Sequence, residues 1–228
     1  MKPGGKSRGR GIQIHCQKDN LMNYIRSSTD KIWITQKYIE SPLIIRQKKF
    51  DIRQWVCVTS WKPKLEIWFY NENYLRFTSE NYDANQLHNK FANLTNATIN
   101  KENIKLDIFE DNHSTKIGDD LKIEGNMWTN YQFEKFLGQY TKNNAVYQEK
   151  VLPQIQKGVI SSLLAVRDSV LQNNQGCQEV FGYDFMVDTS SNVWLLEVNS
   201  SPSMEYSSPI TNRMVKEVLH NLAEMAVI

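Results

Sequence analysis

Asp184, Glu197 and Asn199 stand in a run that is otherwise strongly apolar, "YDFMVDTSSNVWLLEVNSSPSM" over 183–204. Tyr183–Asp188 and Val193–Asn199 alternate as two strands around "TSSN". A four-residue loop pairs Asp188 with Val193, and that register carries Asp184 opposite Glu197. Directly opposed side chains have Cβ atoms about 4.5–5.5 Å apart. Two carboxylates that close repel, so one takes a proton or both share a cation. Asn199, two residues further along the same face, adds a neutral oxygen. An oxygen-only set suits a hard cation such as Mg²⁺, and no His or Cys stands nearby to favour zinc. The alternative is a surface hairpin with solvated acids. Against it stand Phe185, Met186, Val187, Trp194, Leu195, Leu196 and Val198, too apolar for a wet ribbon. Mg²⁺ held by so few protein ligands shares its shell with substrate phosphates, so phosphate-binding residues are expected elsewhere.

Two stretches answer that expectation. "KPGGKSRGRGI" (2–12) is basic and punctuated by glycine, which lets backbone N–H groups approach a phosphate. It matches neither the Walker loop nor the dinucleotide fingerprint, and a basic tail would look the same. "KKFDIRQW" (48–55) reads as a strand with Lys49, Asp51 and Arg53 on one face and Phe50 and Ile52 on the other. That stripe is either an ion-pair ladder or one wall of a nucleotide site. "ITQKYIE" (34–40) runs a strand into a turn at Ser41–Pro42, where exposed backbone could meet an adenine edge or simply end a strand.

The charge distribution suggests an anionic partner, with a solvated basic surface as the alternative. Residues 1–53 hold twelve Lys or Arg against four acids, a surplus of eight, so the rest of a chain of net charge +2 carries six net negative charges. No apolar run approaches the roughly 20 residues that span a bilayer. Three cysteines (Cys16, Cys57, Cys177) have no metal-type spacing, which fits reduced thiols inside a cell. The four histidines (15, 88, 113, 220) read as surface or capping residues.

The elements that must position these groups are mixed. Strands are expected at 31–39, 50–61 and 64–71. A helix at 129–140 opens with Thr129 and Gln132 in capping-box spacing, with Phe133, Phe136, Leu137 and Tyr140 as its apolar stripe. A second spans about 152–173, with Ile155, Val159, Leu163, Val166 and Val170 on one side. A third starts at Ser208–Pro209 and faces inward through Met214, Val218, Leu222 and Met225. The polar, patternless stretch 105–126 reads as a mobile loop. Strands and helices in irregular order indicate an α+β architecture.

In order along the chain, "KPGGKSRGRGI", "QKYIESPLII", "KFDIRQW", "YLRF", "NLTN" and "FGYDFMVDTSSNVWLLEVNSSPSM" resemble the tubulin tyrosine ligase-like family of ATP-grasp amino-acid ligases. The spacing is most like its glycylase branch, which links glycine to tubulin side chains. Glutamylases of the family usually carry an aromatic after "LTN", where this chain has Ala97.

The resemblance implies a fold of central and C-terminal ATP-grasp lobes, with an antiparallel sheet flanked by helices. Residues 1–41 would be part of the central lobe, with the phosphate loop and adenine hinge. Residues 42–228 would be the C-terminal catalytic lobe with its insert at 105–126, and an N-terminal lobe is expected to be missing. By the same resemblance Lys2, Arg8 and Gly9 lie on ATP phosphates, and Gln36, Lys37, Tyr38 and Ile39 form the hinge. Lys49 and Asp51 contact the nucleotide, Asp51 near the ribose, and Arg53 is a second phosphate contact. Arg76 faces the γ-phosphate and the incoming carboxylate. Thr95 and Asn96 complete the pocket, Lys101 holds an acidic group, and Asp184, Glu197 and Asn199 bind Mg²⁺.

The implied reaction passes a phosphoryl group from ATP to a glutamate side chain of a tubulin tail, and glycine attacks the acyl phosphate. A glutamate-adding enzyme of the same family, a non-catalytic microtubule-binding fragment and a nucleic-acid binder are the competing readings. The implied setting is a monomer of the cytoplasm, cytoskeleton and ciliary or flagellar axoneme, without nucleic-acid or membrane partners. Asp184→Ala or Glu197→Ala is expected to abolish Mg·ATP turnover and spare the fold.

Overall fold

The computed structural model describes residues 1–5, 9–29, 32–101, 103, 121, 123, 125–170 and 177–227. The chain forms two compact units. One comprises Met1–Phe50 and Phe77–His113, the other Asp51–Arg76 and Ser114–Ile228.

The second unit is built on an antiparallel sheet. Strands β3 (Phe50–Ser60) and β4 (Glu66–Phe77) form a hairpin at its centre. β5 (Met127–Thr129) pairs with β4, while β6 (Glu179–Val187) and β7 (Val193–Asn199) extend the other side, giving the order β5-β4-β3-β6-β7. β4 runs six residues further than the expected 64–71 and so takes in "YLRF".

One sheet face carries Gln54, Asn73, Tyr183 and Phe185. Helix α4 (Asn130–Thr141), a π-helical turn (Tyr147–Val151) and helix α5 (Leu152–Val166) cover it. Asn73 donates to the Tyr147 hydroxyl at 2.9 Å, and Tyr183 meets Ser162 at 3.0 Å. The capping box at Thr129–Gln132 forms as its spacing predicts. Phe133 and Leu137 are fully buried, each contributing about 1.5–3 kcal/mol. Tyr140, expected in that stripe, is exposed and stacks on Phe136. α5 buries Ile155, Val159 and Leu163, but it ends at Val166, which is exposed, and passes into a 3₁₀ turn. The rest of the expected helix, from 171, lies outside the described residues.

On the other face, helix α6 (Pro209–Val227) packs Met214, Val215 and Val218 against Trp55, Tyr74 and Met127. Ser208 caps it, its hydroxyl accepting from the Thr211 N–H at 3.1 Å. The result is an α+β architecture with an antiparallel sheet flanked by helices. No helix among the described residues is long and apolar enough to cross a membrane.

The first unit has a two-stranded ribbon, β1 (Lys2–Pro3) with β2 (Trp33–Ile34), and helices α1 (Lys18–Ser27), α2 (Lys90–Asn93) and α3 (Ala97–Lys101). The strand expected over 31–39 is therefore only two residues long. Its partner contains Pro3, which has no N–H to extend the ladder. The expected insert at 105–126 lies almost wholly outside the described residues, although Leu121 is described and buried.

Candidate functional site

The β6–β7 hairpin sets the geometry of the acids. Its loop is tighter at the base than expected: Val187, not Asp188, pairs with Val193. A bulge at Leu196 then makes up the odd residue, so Asp184 still falls opposite Glu197 and Gly182 opposite Asn199. The Asn199 Nδ2 lies 3.4 Å from Asp184 Oδ2 and 3.4 Å from Glu197 Oε1, and donates to the Gly182 carbonyl at 3.2 Å. Trp194 and Val198 of this edge strand are exposed, so the apolar character of the run does not by itself bury the hairpin.

The counter-charge that two close acids demand comes from arginine. Arg53, in register with Asp184, donates to it through Nε at 2.5 Å and Nη2 at 3.2 Å. Arg76 of β4 forks onto Asp51 at 2.8 and 2.5 Å and reaches Asp184 Oδ2 at 3.0 Å. Asp51, Arg53, Arg76 and Asp184 are 3–7% exposed. Burial alone would raise the Asp184 pKa; the Arg76 and Arg53 charges outweigh it and hold the carboxyl below its usual range. Burial would likewise lower Arg76, but Asp184 and Asp51 keep it well above its ordinary value.

Both Asp51 and Arg53 of the expected stripe on β3 make buried ion pairs. Lys49 precedes the strand and belongs to the first unit. With Glu197, three carboxylates face two guanidiniums, leaving one net negative charge on carboxylate oxygens, while Asn199 turns its Nδ2 toward them. That chemistry fits a hard divalent cation.

Sequence reasoning passed over Gly182. It sits between Trp55 and Asn199 in register, and an added Cβ would lie 2.7 Å from Pro202 Cβ and 3.0 Å from Arg53 Nη1. Its missing side chain is the space into which Arg53 and the loop after β7 fit. The FGYD context was the available signal, since glycine inside a strand often marks a close approach.

In the first unit the remaining candidates form two groups. Gly9 has φ +74°, and a Cβ there would run into Ile99 and Asn96, so Gly9 and Asn96 are neighbours. Thr95 beside them is buried. In the second group Lys49, 4% exposed, donates to the Tyr38 hydroxyl at 3.0 Å and lies 4.4 Å from its ring centre. Tyr38 in turn donates to Asn93 Oδ1 at 3.0 Å. Burial first, then the Tyr82 hydroxyl, raises the Tyr38 pKa, so it stays a phenol.

Asn93, also missed, lines a cavity of about 240 Å³ with Ile12, Leu94, His88 and Lys90. Lys48, a further omission, anchors its Nζ on the Thr78 and Ser79 carbonyls at 3.2 and 2.7 Å. Gln36 is exposed, and so is Lys37, which is paired with Glu40 at 3.6 Å; Ile39 is half-buried. Lys2 sits in β1, Arg8 lies outside the described residues, and Lys101 ends α3 with its side chain outside them. Of the histidines, His15 packs beside Tyr24 with its Nε2 buried and unpartnered, and His220 meets Glu224 at 3.2 Å. His113 lies outside the described residues.

The model of the tubulin-tyrosine ligase family matches residues 1–228. The chain belongs to that family. Its α+β sheet flanked by helices is the architecture expected of an ATP-grasp-like tubulin-tyrosine ligase family chain. Among curated proteins it is similar to tubulin glycylase 3D of Tetrahymena thermophila, 42% identical over all of this chain and 21% of the relative. It is 40% identical to tubulin glycylase 3C of the same organism, over all of this chain and 20% of the relative. It is 37% identical to tubulin monoglycylase TTLL3 of Danio rerio, over 96% of this chain and 27% of the relative. The chain therefore spans about a fifth to a quarter of the length of these curated relatives.

Proposed function

We propose that this protein is an ATP- and Mg²⁺-dependent ligase that joins glycine to glutamate side chains in the C-terminal tails of tubulin, through an acyl phosphate on the acceptor. The names of its relatives support the substrate and donor. The observation that carries the chemistry is Asp184 in register with Glu197, with the Asn199 amide 3.4 Å from both and two arginines alongside.

In this reading Asp184, Glu197 and Asn199 hold Mg²⁺, which when bound offsets charge on the phosphates. Arg53 and Arg76 are held by Asp51 and Asp184, so their orientation is fixed before substrate arrives. Most of the nucleotide residues fall in the first unit, while Asp51, near the ribose, and Arg53 and Arg76, facing phosphate, belong to the second. Lys2, Arg8 and the Gly9 backbone take phosphates; Gln36, Lys37, Tyr38 and Ile39 border the adenine; Lys49, Thr95 and Asn96 complete the pocket. Lys101 holds an acidic group of the acceptor. The division at 41/42 is one of family role, whereas the compact units follow contacts.

Bringing ATP to an acidic tail joins two anions that repel, so transfer depends on positioning and charge neutralisation. Glycine's amine then attacks the acyl carbon, phosphate leaves, and no covalent nucleophile of the protein takes part. The proposed setting is the cytoskeleton, including the axoneme, with tubulin as partner.

The test is incorporation of labelled glycine or glutamate into tubulin with ATP and Mg²⁺. Glycine label in the tails, lost in Glu197→Gln, is the expected result. Glutamate label instead would replace the donor, and microtubule binding with neither label would leave only a binding fragment.

A further inference from the structure

In the second unit the other buried or half-buried phenols have partners. Tyr70 donates to Glu217, Tyr147 accepts from Asn73, and Tyr183 meets Ser162. Tyr74 does not: the residue is 5% exposed, its hydroxyl makes no hydrogen bond among the described residues, and its oxygen is not sealed from solvent. Next to it, with ring centres 5.4 Å apart at 62°, stands Trp55, 2% exposed, whose Nε1 is buried without an acceptor. A buried donor such as the Trp55 Nε1 is nearly always satisfied, and one left unmade costs about 1–3 kcal/mol. An acceptor beyond the described residues is therefore expected, and a ligand at this site would supply one.

Trp55 is two residues beyond Arg53 on β3, and Tyr74 two before Arg76 on β4, so both share the face of the ion-pair cluster. Because the hairpin strands run antiparallel and Arg76 reaches Asp51, Tyr74 comes level with Arg53. Burial, more than any neighbouring charge, keeps the Tyr74 phenol protonated, and Arg53 is the strongest of those charges. A neutral O–H and N–H beside a guanidinium suit an anionic oxygen.

We propose that Tyr74 and Trp55 donate hydrogen bonds to an anionic oxygen of a substrate held beside Arg53, either the carboxylate of the incoming amino acid or a phosphate of the nucleotide. This rests on the ligase reading above. Tyr74→Phe removes one oxygen atom and keeps the ring against Trp55, Met127 and Met214. The experiment measures KM for glycine and for ATP, calorimetric Kd for glycine and for a non-hydrolysable ATP analogue, and Tm.

A hydrogen bond to a charged group corresponds to roughly tenfold in affinity. A tenfold rise confined to glycine assigns the carboxylate, and one confined to the nucleotide assigns the phosphate, each with Tm nearly unchanged. Trp55→Phe should move the same constant. Unchanged constants in Tyr74→Phe, with or without a fall in Tm, overturn the proposal and leave the donors to water. A wild-type protein that binds neither ligand overturns the ligase reading, and this proposal with it.

Discussion

Arg53 and Asp184 face one another across β3 and β6, and the carboxylate takes both its Nε and its Nη2 while Arg76 approaches the same Oδ2 from β4. Asp184 is therefore a structural anion as well as a candidate metal ligand. That changes what its removal should do. Asp184→Ala leaves Arg53 and one arm of Arg76 buried without their partner, an arrangement that costs about 3–5 kcal/mol. Glu197 is half-exposed on the edge strand, where solvent makes the loss of a partner cheaper. Urea unfolding should show a large loss for Asp184→Ala and a change under about 1 kcal/mol for Glu197→Ala, with ATP turnover lost in both. Equal stability of the two variants would contradict the cluster as described.

Gly182→Ala should be costly for a different reason. The new Cβ would meet Pro202 Cβ at 2.7 Å, which is ring carbon and cannot swing away, and crowd Arg53 Nη1 at 3.0 Å. Overpacking of this kind costs about 1–3 kcal/mol. Gly158→Ala is the control. Its Cβ would meet only the Phe185 ring edge at 3.0 Å, and alanine is worth up to about 1 kcal/mol over glycine in a helix. Thermal melts should drop clearly for the first variant and stay close to wild type for the second.

Acid should weaken the second unit through Asp184. Burial works to raise its pKa, but Arg76 and Arg53 win and hold it below the ordinary value. A carboxyl depressed in the folded state adds stability that is full above its unfolded pKa of about 3.9 and is lost as pH falls through the lower folded value. The urea midpoint should therefore decline as pH drops from about 4 toward 2. Asp184→Asn, less stable at neutral pH, should show a flatter decline. A midpoint that rises on acidification would mean that burial, not the arginines, decides the titration.

The sequence shows some of this directly and hides the rest for identifiable reasons. Strand β3, the α4 capping box and the Ser208 cap follow from local pattern, since alternation and capping depend on residues a few positions apart. The Asp184–Glu197 pairing is also legible, but by compensation: the loop differs by one residue and the Leu196 bulge restores the count. No local pattern encodes that bulge. The cation facing Asp184 was legible as a requirement, whereas its supply by Arg53 and Arg76 depends on contacts 131 and 108 positions apart in the chain. Tyr74 and Trp55 read as ordinary strand aromatics, because an absent hydrogen bond has no sequence signature.

The hairpin loop offers a last test of how the acids are aligned. Asp188 Oδ1 accepts the Ser190 and Asn192 N–H groups, both at 2.9 Å, and Oδ2 accepts Trp194 Nε1 at 3.0 Å and Asn192 Nδ2 at 3.1 Å. Against slight burial, these donors, Trp194 foremost, hold its carboxyl below the usual range. Asp188→Ala removes all four bonds from a solvent-accessible turn, where water replaces most of each, so the loss should be about 1–2 kcal/mol. The Ser190 and Asn192 amides should exchange with solvent faster. The amides of Tyr183 and Asp184, held in register on β3 and β7, should keep their protection, because the strands and the bulge, not the loop, carry the alignment. Loss of protection at Asp184 in this variant would place control of the site in the turn instead.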